Sequence, residues 1–153
     1  MRVERVAAGV TYPSRHEILR PHQSIAEVGF PGDNDPETGH FAAYDGSIPI
    51  GVVTVLHEPP PLPTVADPAA WWRLRGMATA GDRRRSGVGS ALVGAVLAHV
   101  AAHNGTTLWC HARLRALAFY EKQGFVAIGE AWEEPTLGPH VTMWRSVPRP
   151  RPS

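Results

Sequence analysis

The chain has 153 residues, 43% apolar and 19% charged, which suits one domain with its own core and excludes a disordered acidic chain. A formal charge of +1 leaves no global field to hold nucleic acid or an anionic membrane surface, so any basic function must be local. The single cysteine, Cys110, cannot close an intramolecular disulfide. No run approaches the roughly 18 apolar residues of a bilayer span, and the N-terminal segment lacks a signal-type apolar stretch; the expectation is a cytoplasmic protein.

The first dozen residues carry weak signals. Residues 16–20 (HEILR) read as a short strand ended by Pro21, and residues 21–39 as a turn-rich loop. Residues 40–44 and 48–56 are rich in β-formers and meet across Asp45-Gly46, a dipeptide suited to a tight hairpin. Five prolines between 59 and 68 forbid a helix interior and mark residues 58–70 as an exposed connection. Residues 72–79 read as a strand and residues 87–103 as a helix, with Val88, Leu92, Ala95, Val96 and Val100 on one face and Asn104-Gly105 as its stop. A strand at 106–111, a helix at 114–123 capped by Gly124 with Phe125 folding back, and strands at 126–132 and 140–145 follow. Residues 1–147 form one domain in this reading, and residues 148–153, alternating Pro and Arg, a frayed tail.

The segment between the strand at 72–79 and the helix at 87–103 carries chemistry. At a helix start several backbone N–H groups lack an intrahelical partner, and the peptide dipoles place about half a positive charge there. Gly87 and Gly89 clear side chains from those amides, while Arg84 and Arg85 add charge-assisted donors, so the expected ligand is a diphosphate. A P-loop needs a lysine in G-x-x-x-x-G-K-[ST], and Lys122, the only lysine, lies far downstream. A dinucleotide fingerprint needs G-x-G-x-x-G, but Leu92 holds the third glycine's place. An R-x-x-G-x-G motif, Arg84-Arg85-Ser86-Gly87-Val88-Gly89, remains beside a plain arginine turn capping a helix.

With that motif, and with residues 116–125 (ALAFYEKQGF) reading as A-x-x-F-Y-x-x-x-G-F in the expected order downstream, the chain resembles the GNAT superfamily of N-acetyltransferases over roughly residues 72–145. The resemblance implies an α/β (α+β) fold whose mixed, largely antiparallel central sheet splays between strands 4 and 5, flanked by helices. It implies acetyl-CoA as cosubstrate and no metal. The main chain of Met77, Ala78 and Thr79 would receive the pantetheine arm as an added strand, and Arg84, Arg85, Ser86, Gly87, Val88, Gly89 and Ser90 the diphosphate. Tyr120 would sit beside the sulfur as a catalytic donor, against the plainer reading of an aromatic at the core edge. His111 stands where many members carry Asn, and is a candidate base together with Glu130, Glu133, Glu134 and His140.

The implied acceptor is a small-molecule or peptide amine, with neither nucleic acid nor membrane as partner; a homodimer is compatible with the sequence. The family usually places one or two helices between its first two strands, and residues 21–39 offer none, so Asp33, Asp35 and Glu37 are considered as attractors of a cationic amine. An acyl-CoA-binding module without turnover is the alternative function, and Tyr120 is the residue that distinguishes the two. His99 and His103, four apart on one helix, have metal-clamp spacing but no third ligand nearby, and Cys110 reads as a buried structural thiol.

Overall fold

A computed structural model describes residues 1–63, 65–83 and 86–149. The elements are β1 (Arg2–Arg5), α1 (Ala8–Ser14) running into a π-helical turn (Arg15–Leu19), β2 (Gly39–Asp45), β3 (Ile48–Leu56), β4 (Trp71–Thr79), α2 (Val88–Ala102), β5 (Thr107–Arg113), α3 (Leu117–Lys122), β6 (Val126–Glu134) and β7 (Gly138–Ser146). The strands form one sheet in the order β1-β2-β3-β4-β5-β7-β6. Every neighbouring pair is antiparallel except β4–β5.

Strand alternation sends side chains to two layers. Phe41, Ala43, Val53 and Val55 face one side and join Leu92, Val96 and Val100 of α2 in the main core. Ala42, Val52 and Ala78 face the other side, where Ile18 and Leu19 of the π turn cover them. The hairpin forms where expected, with Gly46 at φ +62°. The stop of α2 is Asn104, at φ +62°, while Gly105 leaves room for the Trp72 ring, which an added Cβ would meet at 2.6 Å. Gly124 adopts φ +88°, and the Phe125 N–H donates to Tyr120 O at 3.0 Å, closing α3 as the sequence predicts.

Two features of β4 open the sheet. It pairs with β5 only from Trp71–Thr107 to Arg73–Trp109, and beyond that register the strands diverge. Against β3, β4 carries one extra residue between the partners of Thr54 and Val52, and Gly76 within that bulge takes φ +65°. The resulting cleft is the splay that the resemblance implies.

The first quarter of the chain differs from the sequence reading. Residues 16–20 are not a strand: β1 already occupies the sheet edge beside β2, and residues 15–19 continue α1 as a π turn, with Arg20 N–H bonded to Arg15 O at 2.9 Å. Helical winding buries Arg15 and brings Ile18 and Leu19 onto the sheet, a spacing that strand alternation does not give. Pro21 still ends the segment. A helix therefore does stand between the first two strands; misplacing the first strand hid it.

Candidate functional site

A cavity of about 1010 Å³ fills the cleft between the diverging halves of β4 and β5. Eight residues singled out in the sequence meet on its wall: Met77, Ala78, Thr79, Gly89, His111, Tyr120, Glu134 and His140. From Leu74 to Thr79 the edge of β4 that faces β5 has no strand partner, so its main chain is available to an extended ligand. Gly89 brings the start of α2 to one end of the same cavity, and Trp132 and His140 stand on its wall with Glu134.

No side chain caps the start of α2. Its N-cap, Gly87, is exposed at φ +86°, and an added Cβ there would meet nothing within 4 Å. The open space and bare amides suit an anion. The two glycines have different duties, however: at Gly89 a Cβ would stand 2.7 Å from the Phe119 ring, so this glycine admits close packing of α3 against α2. Val88 is buried against Gly51. The Ser86 hydroxyl donates to Arg83 O, and Ser90 accepts a bond from Gln123 at 2.8 Å. The expectations for Arg84 and Arg85 lie outside the described residues.

Tyr120 is both packed and placed. Its ring makes edge contacts with Phe119 and Phe125, at 5.1 and 5.4 Å, and it is 7% exposed while lining the cavity. Burial pushes its phenol well above the ordinary value, with Cys110 adding to the shift and Arg113 opposing it, so it carries its proton at neutral pH. Cys110 is buried, and burial raises its thiol to about 12, which makes it a neutral small apolar residue.

The two cavity histidines differ. His111 is pulled down to about 4 by burial and then by Arg73, His140 and Arg75; its Nδ1 lies 3.1 Å from Thr142 Oγ1. His140 Nδ1 lies 2.8 Å from Gly138 O. A carbonyl only accepts, so Nδ1 carries the proton and Nε2 of the neutral ring keeps its lone pair. Glu130 and Glu133 are exposed on β6 and do not line the cavity; Glu134 does.

The acidic loop residues do not form a cation site. Asp33 is buried and chelates Arg15 through bonds of 2.7 and 3.1 Å, Glu37 meets His57 at 3.3 Å, and exposed Asp35 lies off the cavity. His99 and His103 are engaged by main-chain carbonyls, of Glu37 and His99 respectively.

What the sequence reading missed is positive charge. Arg20, Arg73, Arg75, Arg113 and Arg115 line the cavity against one acid, Glu134. Arg73 is neutralised by Glu58 at 2.9 Å, and Arg113 is held by Leu19 O at 2.8 Å. Arg75 has no acidic partner among the described residues, and burial, with Arg73 and Arg20 nearby, lowers it to about 10. A signal existed in β4, where Arg73 and Arg75 alternate with buried Trp72 and Leu74, so guanidinium groups occupy the second face of a central strand.

A sheet opened between parallel β4 and β5, with an uncapped helix start at one end of the cleft and a buried tyrosine on its wall, defines an acyl-coenzyme A-dependent transferase architecture. The chain belongs to the acetyltransferase (GNAT) family, whose model matches residues 8–125. It is an N-acetyltransferase that uses acetyl-CoA as cosubstrate. An uncharacterised N-acetyltransferase, YitI, of Bacillus subtilis (strain 168) is 32% identical over 148 residues, covering 96% of this chain and 97% of that protein. The fold is shared with a putative N-acetyltransferase from Lactobacillus plantarum, at TM-score 0.73 and 20% identity over 95% of this chain and 97% of that one. It is shared too with an aminoglycoside 6'-N-acetyltransferase complexed with coenzyme A, at TM-score 0.69 and 19% identity over the whole of both chains. Among the described residues no helix is long and apolar enough to cross a membrane.

Proposed function

We propose that this N-acetyltransferase acts on a primary amine that also carries an anionic group, a carboxylate or a phosphonate. The observation that carries this reading is the imbalance of the cavity wall, five arginines to one acid, with Arg75 free of any acidic partner among the described residues. Arginine's planar donor fork matches a carboxylate or phosphonate edge. The same wall repels a polycation, so the aminoglycoside acceptors of the structural neighbours do not transfer to this chain.

The chemistry follows from the groups available. An alkyl ammonium of pKa about 10.4 is neutral only about once in 2,500 at pH 7. Guanidinium groups around the bound ammonium favour loss of its proton, and His140 Nε2 is the acceptor for it, since His111 near 4 is too weak a base. The neutral nitrogen then bonds to the thioester carbonyl carbon and the carbon–sulfur bond breaks. The nitrogen gives up a proton and the departing sulfur gains one. Tyr120, kept protonated by burial, donates a hydrogen bond to the developing thiolate. The unpaired edge of β4 and the open start of α2 hold the donor's pantetheine arm and diphosphate.

The test is thiol release from acetyl-CoA over a panel of amines at equal concentration. Aspartate or 2-aminoethylphosphonate should give the highest kcat/KM, with kanamycin near background; a polycation leading the panel overturns the reading. Coenzyme binding without release on any amine favours a module that does not turn over.

A further inference from the structure

We infer that Phe30 is a specificity-determining positioning residue: its ring, clamped between the guanidinium groups of Arg15 and Arg75, aims the donors of Arg75 at the anionic group of the acceptor. The inference rests on the proposed acceptor class and adds a residue from the loop between the π turn and β2. The Cζ atoms of Arg15 and Arg75 stand 3.9 and 3.7 Å from the Phe30 ring centroid. Both distances are close to a stacking contact, which places each group near the ring normal. Two planar groups cannot occupy that position on one face, so they lie on opposite faces. Arg20 lies farther out, at 5.7 Å.

The inner guanidinium is locked. Arg15 is fully buried, and besides Asp33 it donates to Val28 O at 3.1 Å and Thr54 Oγ1 at 2.7 Å. Thr54 Oγ1 in turn meets His40 Nδ1 at 2.8 Å, and His40 Nε2 bonds to Asp33 O at the same distance. Asp33 also accepts the Phe30 N–H at 2.7 Å, so one ion pair fixes both the backbone of Phe30 and the inner face of its ring. Burial alone would raise the Asp33 carboxyl, but bonds from Arg15 and the Phe30 N–H, with the charge of Arg15, hold it below its ordinary value. Gly76 lets the ring in: its own Cβ would stand 3.0 Å from Phe30 and 3.2 Å from Arg15 Nε.

The outer guanidinium is the part left to work. Stacking uses the face of Arg75 and leaves its in-plane N–H donors for a ligand. None of those donors bonds to a described residue, and both Phe30 and Arg75 line the cavity. A guanidinium already held at its working angle loses less freedom when it meets an anion than a mobile one does. The ring therefore acts on recognition of acidic amines and not on the acyl transfer itself.

The test compares the native protein with Phe30→Leu, which removes the π face, and Phe30→Tyr, which keeps it. Phe30→Leu should raise KM for aspartate or 2-aminoethylphosphonate about fivefold to thirtyfold, several times more than it raises the KM for ethanolamine, with the change falling on the acidic-amine KM and not on kcat; Phe30→Tyr should restore the acidic-amine KM. Arg75→Lys, which keeps the charge but lacks a planar face, should reproduce the shift, and it serves as the reporter where Phe30→Leu fails to fold. Inorganic phosphate binding to the protein saturated with coenzyme A, read by calorimetry, should weaken in parallel. Unchanged acidic-amine KM and phosphate affinity in the leucine variant, or an equal rise for ethanolamine, overturns the inference and leaves the acceptor class standing. If the native protein acetylates no acidic amine yet Phe30→Leu weakens phosphate binding, the acceptor class falls and the clamp stands. If the native protein neither uses acidic amines nor binds phosphate, both fall.

Discussion

The two halves of the cleft are built from different material. The half proposed to receive the coenzyme is made of backbone: the unpaired edge of β4, the amides at the start of α2 and a glycine at φ +86° that leaves space above them. The half proposed to receive the acceptor is made of side chains delivered by the π turn, the loop of Phe30, β4, β5, β6 and β7. Backbone geometry follows from local rules and tolerates sequence change, whereas a side-chain wall is rewritten by single substitutions. One donor can thus be kept while the acceptor varies.

The largest effects should come where the halves meet. Tyr120→Phe removes the only phenol on the cavity wall among the described residues and should lower turnover by about 10²–10⁴ with the coenzyme affinity kept, whereas a loss below about threefold assigns Tyr120 to packing. His140→Gln should lower kcat/KM by about 10² or more at pH 7, with part of the loss recovered at higher pH as more of the amine arrives neutral. A full-rate His140→Gln enzyme removes that residue from proton transfer and returns Glu134 to consideration.

A second comparison separates the two glycines of the motif. Gly89→Ala drives a Cβ to 2.7 Å from a rigid ring, and overpacking of this kind costs about 1–3 kcal/mol. Tm should fall by roughly 2–4 °C per kcal/mol, and because Phe119 precedes Tyr120, turnover should fall as well. Unchanged Tm and kinetics would show that α3 yields freely, and would return Gly89 to a role in admitting the diphosphate.

Legibility in the sequence follows the same divide. The hairpin at Gly46, the stop of α2 at Asn104-Gly105 and the α3 cap at Gly124 were readable because positive φ and helical period are encoded within a few residues. Arg15 could not be read as a fully buried charge, since its burial depends on Asp33, eighteen residues away, and on Thr54 beyond it. Its neighbours HEILR have β-forming composition, and tertiary packing overrode it. The arginine wall joins residues from 20 to 115 that no spacing rule connects, which is why a family motif yields the donor and not the acceptor.

The smallest effect concerns His111 and the pH range below neutrality. Its folded value near 4 lies beneath the ordinary 6.5, so between those values the unfolded chain binds a proton that the native ring refuses. Stability from this site is complete above about pH 6.5 and is lost as the pH falls toward 4. His40 and His99 are lowered as well, burial being the first cause for each, so the whole-protein slope has several contributors. His111→Asn isolates one of them: the fall in Tm between pH 7 and pH 4.5 should be shallower than in the native protein by on the order of 2–4 °C, the residue being partly exposed to screening solvent. Identical slopes would mean that His111 is solvated in solution, and a ring so placed would recover the basicity that a second proton acceptor beside His140 requires.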